Sequence, residues 1–181
     1  MSLKVITISG YARHGKDTVA KFLQEQLESN GNRVFITHYA DLLKYICKTF
    51  FKWNGKKDEA GRTLLQHVGT DVVRKKEPNF WVDFVADILC NFGDCWDFVI
   101  IPDTRFPNEI ERLKERNLDV VHLRVVRPDF ESPLTAKQQA HSSETALDNT
   151  APDYRIINSG DLDTLKSKII EWIMEVLYED K

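Results

Sequence analysis

Leu3-Lys4-Val5-Ile6-Thr7-Ile8-Ser9-Gly10-Tyr11-Ala12-Arg13-His14-Gly15-Lys16-Asp17-Thr18 decides the reading of this chain. Residues 3–9 are apolar and β-branched, as in a buried strand, and a run of helix formers begins at Lys16. Strand, glycine loop and helix in that order are what a phosphate-binding loop requires. Gly10 and Gly15 let the backbone curl with its N–H groups inward, and the helix N-terminus adds positive potential at the same point. Gly10, Ala12, Arg13, His14, Gly15, Lys16, Asp17 and Thr18 are therefore expected around the phosphates of a nucleoside triphosphate such as ATP. Lys16 reaches the β- and γ-phosphates. One position breaks the usual pattern: Asp17 stands where Ser or Thr normally meets Mg²⁺, and Thr18 comes one place later. A carboxylate beside phosphate is repelled unless a Mg²⁺ ion, directly or through its water shell, lies between them.

Outward from this loop, strands and helices alternate. Lys16 to Asn30 carries Val19, Ala20, Phe22, Leu23 and Leu27 at helical spacing, closed by Gly31 and Asn32. Arg33 to Tyr39 reads as a second strand. Asp41 reads as the cap of a helix with Leu42, Leu43, Tyr45, Ile46 and Phe50 on its apolar side. Lys52 to Gly61 reads as a polar loop. Helices follow over about Arg62 to Lys75, with Gly69 at its end, and Phe80 to Asn91, separated by Pro78. Asp97 to Ile101 and Asp119 to Val126 are strands with a helix, Asn108 to Arg116, between them. Tyr154 to Ile157 is a fifth strand, and Asp161 to Tyr178 a last helix.

This alternation predicts an α/β fold, the three-layer αβα arrangement of the P-loop NTPases, around one mostly parallel five-stranded sheet. Ligands in that architecture gather at the carboxyl ends of the strands. Residues 127–153 differ from the rest. They hold three of the six prolines and show no clear apolar period, so a mobile lid or functional loop is expected there.

At 181 residues the chain has room for one domain over 1–181, and a formal net charge of −3 gives no support for binding a nucleic-acid polymer. Cys47, Cys90 and Cys95 are odd in number and match no metal or redox spacing, which points to reduced thiols and a cytoplasmic protein. No signal peptide and no membrane span is expected. The composition leaves room for a homodimer.

Four further segments combine charge with tight turns: Tyr39 to Lys44, Arg62 to Asp71, Pro102 to Glu109, and His141-Ser142-Ser143-Glu144. With the Gly15-Lys16-Asp17-Thr18 loop and Phe80-Trp81-Val82, they resemble the deoxynucleoside monophosphate kinases of tailed phages, within the P-loop nucleoside monophosphate kinases. The resemblance runs from the first strand to Asn158-Ser159-Gly160 and the last helix. It implies transfer of the γ-phosphate of ATP to a nucleoside monophosphate, with helices at about 41–91 closing over the acceptor and 127–153 as lid. It also implies that Asp41, Lys44, Arg62, Gln66, Asp71, Trp81, Arg105 and Glu144 meet the acceptor, and that Asn158 borders the adenine. This chain is shorter than those enzymes between the second strand and Gly69-Thr70-Asp71.

The residue types suit that chemistry. Phosphoryl transfer needs two anions brought together in line and their charge neutralised. Asp17 and Asp103, the latter at the end of an apolar strand, are the candidates for organising Mg²⁺. The Arg105 guanidinium can bind two oxygens of an acceptor phosphate at once, Arg13 can reach the transferring group, and Arg127 supplies lid charge that excludes water. Plainer readings stand beside these. Asp41 and Asp103 can be helix or turn caps, Arg62 and Gln66 a solvated face, and His141 and Glu144 loop and cap residues. Trp81 sits among Phe84, Val85 and Ile88 as a core residue would, and His38, His67 and His122 read as structural. Phosphomevalonate kinases share the Gly-Lys-Asp loop, so the loop leaves the acceptor open. A nucleotide-binding switch module would carry an Asn-Lys-x-Asp base motif, and this chain has none.

Overall fold

In the computed structural model, five strands build one fully parallel sheet in the order β2-β3-β1-β4-β5. They are β1 Lys4–Ser9, β2 Val34–Ile36, β3 Phe98–Ile101, β4 Asp119–Val126 and β5 Tyr154–Ile157. The structure describes residues 3–178; residues 1–2 and 179–181 of the expected single domain lie outside the described residues. Successive side chains of a strand point to opposite faces, and here both faces are apolar because both are covered. Val5, Val99, Ile101 and Val120 pack with α2 (Ala40–Phe51), α4 (Phe80–Phe92) and α5 (Pro107–Glu115). Ile6, Ile8, Ile100, Leu123 and Val125 pack with α1 (Lys16–Ser29) and α8 (Leu162–Trp172). The three-layer expectation holds, and β1, at the centre, delivers its loop to the middle of the strand carboxyl ends.

Several expected boundaries move, each for a physical reason. The second strand is three residues long rather than seven. It lies on the sheet edge, and after Thr37 donates to Ile100 the chain turns into α2. Asp41 is not the cap of α2, which begins one residue before it. The cap comes from across the fold: both oxygens of Asp103 accept backbone N–H groups, from Tyr39 and from Ala40, each at 3.0 Å. α3 (Glu59–Gln66) starts inside the stretch expected as loop, because Asp58 caps it by accepting the Gly61 N–H at 2.9 Å.

Gly69 does not end the next helix. It lies inside a π-helical segment, His67–Arg74, where a Cβ would stand 2.7 Å from Leu43. The wider π turn and the bare glycine together bring this segment against α2. The last helix likewise finishes in a π turn, Ile173–Leu177. Residues 127–153 form a loop with two short helices, α6 (Ala136–Gln139) and α7 (Ser142–Thr145), and bury Leu134 and Leu147. Among the described residues no helix is long and apolar enough to cross a membrane.

Candidate active site

The loop after β1 is shaped by two close approaches. Gly10 has φ +142°, and a Cβ there would lie 2.4 Å from the Val125 carbonyl oxygen; Gly15 has φ +98°, with the Asn158 amide nitrogen 2.6 Å from its Cβ position. Only glycine meets both demands without strain. Arg13, exposed between them, adopts φ +62° and turns the backbone a second time. His14 is buried and works as a brace. Its Nδ1 accepts the Arg127 N–H at 3.1 Å, its carbonyl accepts from Asn158 at 2.9 Å, and Tyr11 and Phe130 meet its ring edge-on. Burial first, then the Lys16 charge, lowers its proton affinity, in keeping with a neutral ring that accepts. Below the loop His122 meets the Ser9 hydroxyl at 2.7 Å, and burial pushes its pKa down to about 4.

Lys16 folds over the loop, donating to the carbonyls of Gly10 at 2.7 Å and Tyr11 at 2.9 Å. Burial and then the nearby Arg105 charge lower its pKa to about 8, against the opposing pull of Glu144, Asp17 and Asp103. A phosphate placed against this ammonium would supply negative charge and reverse the shift.

On the facing side, Arg105 donates to the Ser143 carbonyl at 2.9 Å and to the Glu144 carboxylate. The other oxygen of Glu144 accepts the Ala12 N–H at 3.3 Å. One carboxylate thus bridges the phosphate loop and the arginine. Arg105 is presented by a built turn: Glu109, three residues after Phe106 in the first turn of α5, accepts the N–H groups of Arg105 at 2.7 Å and Phe106 at 3.1 Å. Glu109 is 2% exposed and pairs with Arg74 at 2.6 Å. Burial raises the Glu109 pKa and Arg74 opposes that rise. Arg74 also lies 3.9 Å over the Phe106 ring and donates to Pro78 and Asn108. Arg74 and Glu109 carry the site's scaffold, and neither stands out in the sequence. The signal available was Pro107 followed by Glu109 at a helix start.

The remaining expected residues divide. Asp17 is exposed in the first turn of α1, with His38 Nε2 4.0 Å away. Asp41 contacts His38 at 3.3 Å and Lys44 at 2.8 Å; burial pushes its carboxyl up, and these two partners more than offset it, holding it below the usual range. His38, read as structural, therefore stands between the two carboxylates. Asp71 lies near His67 at 3.8 Å and His141 at 4.0 Å. Arg62 donates to the Lys57 carbonyl at 3.0 Å, Gln66 and Thr18 are half-buried, and Arg127 lies 4.5 Å over Phe130. Trp81 is not a base platform: it is 3% exposed and donates to the Gly69 carbonyl at 2.9 Å, so neither ring face is open. Among the described residues no three His, Cys, Asp or Glu side chains converge as a metal cluster.

The chain is similar to known proteins. Residues 30–169 match the family model described as deoxynucleotide monophosphate kinase; the phosphate loop precedes the matched span. The chain is 36% identical over 110 residues to the deoxynucleotide monophosphate kinase of Enterobacteria phage T4, covering 60% of this chain and 43% of that protein. It is 34% identical over 110 residues to the enzyme of the same name from Escherichia phage RB69, covering 60% and 42%. The matched region thus spans less than half the length of these curated relatives. Among solved structures, the Mycobacterium tuberculosis APS kinase in complex with AMPPNP and APS superposes with TM-score 0.55 at 13% identity, over 95% of this chain and 98% of that one. Shikimate kinase from Aquifex aeolicus gives 0.53 at 11% identity, over 97% and 99%. At such identities the likeness is one of fold.

Proposed function

Because this chain belongs to the deoxynucleotide monophosphate kinase family, we propose that it transfers the γ-phosphate of ATP to a deoxynucleoside monophosphate. The observation that carries this reading is the carboxylate bridge between the Ala12 amide and Arg105. It marks a spot where a donor from the phosphate loop and a donor from the β3 side converge on one anion. Lys16, Arg13 and the loop amides hold the donor phosphates. Arg105 takes the acceptor phosphate with two N–H groups. An acceptor oxygen forms the new bond to the γ-phosphorus as the bond to the β-phosphate oxygen breaks, releasing ADP. Asp41, Lys44, Arg62, Gln66 and Asp71 border the acceptor, while Arg127 and Asn158 flank the donor end.

Mg²⁺ supplies neutralising charge to the phosphates when bound. Asp17, exposed with His38 Nε2 4.0 Å away, fits as its carboxylate. Asp103 keeps lone pairs free for the metal's water shell while both oxygens hold α2. Before substrate binds, the α7 segment lies on Arg105 and the loop.

An ATP-consumption assay across nucleoside and deoxynucleoside monophosphates, with phosphomevalonate in the panel, tests this. Coupled ADP and nucleoside diphosphate release with at least one deoxynucleotide is the expected result. Turnover driven by phosphomevalonate alone would refute the acceptor assignment.

A further inference from the structure

Glu144 is only 7% exposed at its side chain, yet it lies in a site built for anions. Its two oxygens accept from the Ala12 N–H at 3.3 Å and from the Arg105 guanidinium. A carboxylate so held has the charge sign and acceptor geometry of a phosphate, and makes the same kind of charge-assisted bond. The segment that carries it is fastened beside it. Asp148 accepts the Tyr11 hydroxyl at 2.7 Å and pairs with Arg124 at 2.9 Å. Arg124 in turn donates to the Leu147 carbonyl at 2.6 Å. Tyr11 is the loop's second residue, so the segment 143–148 and the phosphate loop are joined at both ends of this patch.

We propose that Glu144 is an internal competitor for phosphate that sets when Arg105 becomes available, a specificity device that rests on the kinase reading above. A substrate phosphate takes over the Ala12 N–H and Arg105, Glu144 leaves with its charge, and residues 142–148 loosen from the loop. Arg105 is thereby withheld until a phosphate reaches the loop and displaces the carboxylate. The apparent affinity for phosphate is reduced by the fraction of molecules in which the donors are free.

The test compares the full chain with Glu144→Gln, which keeps the shape and loses the charge, using inorganic pyrophosphate as probe. Titration calorimetry should show pyrophosphate binding roughly ten-fold tighter in the variant, the factor by which a one-in-ten free population weakens the wild type. In the wild type, hydrogen exchange over 142–148 should speed up when pyrophosphate is added. Equal or weaker binding by Glu144→Gln, or exchange that stays the same or slows, overturns the proposal. If Glu144→Gln lacks a cooperative melt, Tyr11→Phe replaces it: it removes one of the segment's ties to the loop without touching the carboxylate's contacts. It should bind pyrophosphate at least about two-fold tighter by the same population argument, and unchanged affinity there overturns the proposal equally. A wild-type protein that binds neither pyrophosphate nor ATP overturns the kinase reading and this inference together, whereas binding without the gain overturns only the latter.

Discussion

Replacing Arg74 with Met is the most demanding test of how the site is scaffolded. The Arg74 side chain is 13% exposed, that of its partner Glu109 is 3% exposed, and their charged groups meet at 2.6 Å. Met fills much of the volume beside Phe106 but leaves the Glu109 charge buried without its cation. Breaking a buried pair on one side costs about 3–5 kcal/mol, against a whole-domain stability of about 5–15 kcal/mol. With a urea m-value of about 2 kcal/mol per molar for a small domain, the midpoint should fall by roughly 1.5–2.5 M. Adding Glu109→Gln to Arg74→Met removes the stranded charge. The amide oxygen still accepts from Arg105 and Phe106, so the double variant should regain at least half of the loss. Urea melts of the four proteins in the cycle decide the matter. A loss under about 1 kcal/mol for Arg74→Met, or a double variant as weak as the two singles summed, would show that the pair is not the anchor argued here.

Three further outcomes follow from the site. Lys16→Ala should abolish transfer while keeping the wild-type melt; in the wild type, kcat/KM for ATP should decline as pH rises through about 8, where the free enzyme's lysine loses its proton, and a flat profile to higher pH would refute the assignment. His122 has a folded pKa of about 4 against 6.5 unfolded, so the unfolded chain binds the extra proton first and stability falls as pH drops from 6.5 to 4. That loss approaches about 3 kcal/mol and should vanish in a His122→Gln background, as acid-titrated melts would reveal. For Asp17, the Asn variant should need more Mg²⁺ for half-maximal rate, and Ser should retain more activity than Ala; superimposable Mg²⁺ titrations would leave the carboxylate as a helix-dipole partner worth about 0.3–1 kcal/mol.

The parts of the molecule legible in its sequence are those written in short-range pattern. The continuous apolar runs of β1 and β3, the 3.6-residue spacing of α1 and α8, and the Gly10–Gly15–Lys16 loop are each contained within a short stretch of chain. What was hidden depends on partners far along the chain. Asp103 caps a helix 63 residues before it, and Glu109 pairs with Arg74, 35 residues away. His14 and Asn158, expected at the nucleotide, hold each other across the loop at a separation of 144. The π segment at His67–Arg74 is hidden for a different reason: its turns do not keep the 3.6 period that apolar spacing reveals. The sequence around Trp81 suits both the core and the acceptor, and its neighbours in space decide for the core.

The long-range cap on α2 has a bearing on how pieces of such enzymes can be exchanged. A graft that carries residues 39–91 from a relative brings a helix whose entry amides, of Tyr39 and Ala40, are satisfied by an oxygen pair encoded elsewhere. In a recipient lacking an acid at the end of β3, those amides would face no acceptor, at about 1 kcal/mol for a lost cap. The entry angle of the imported helix would be undetermined as well. The α2 helix and the end of β3 therefore travel as one discontinuous unit, and chimeras that respect only the linear boundary should fold less well than those that also carry Asp103.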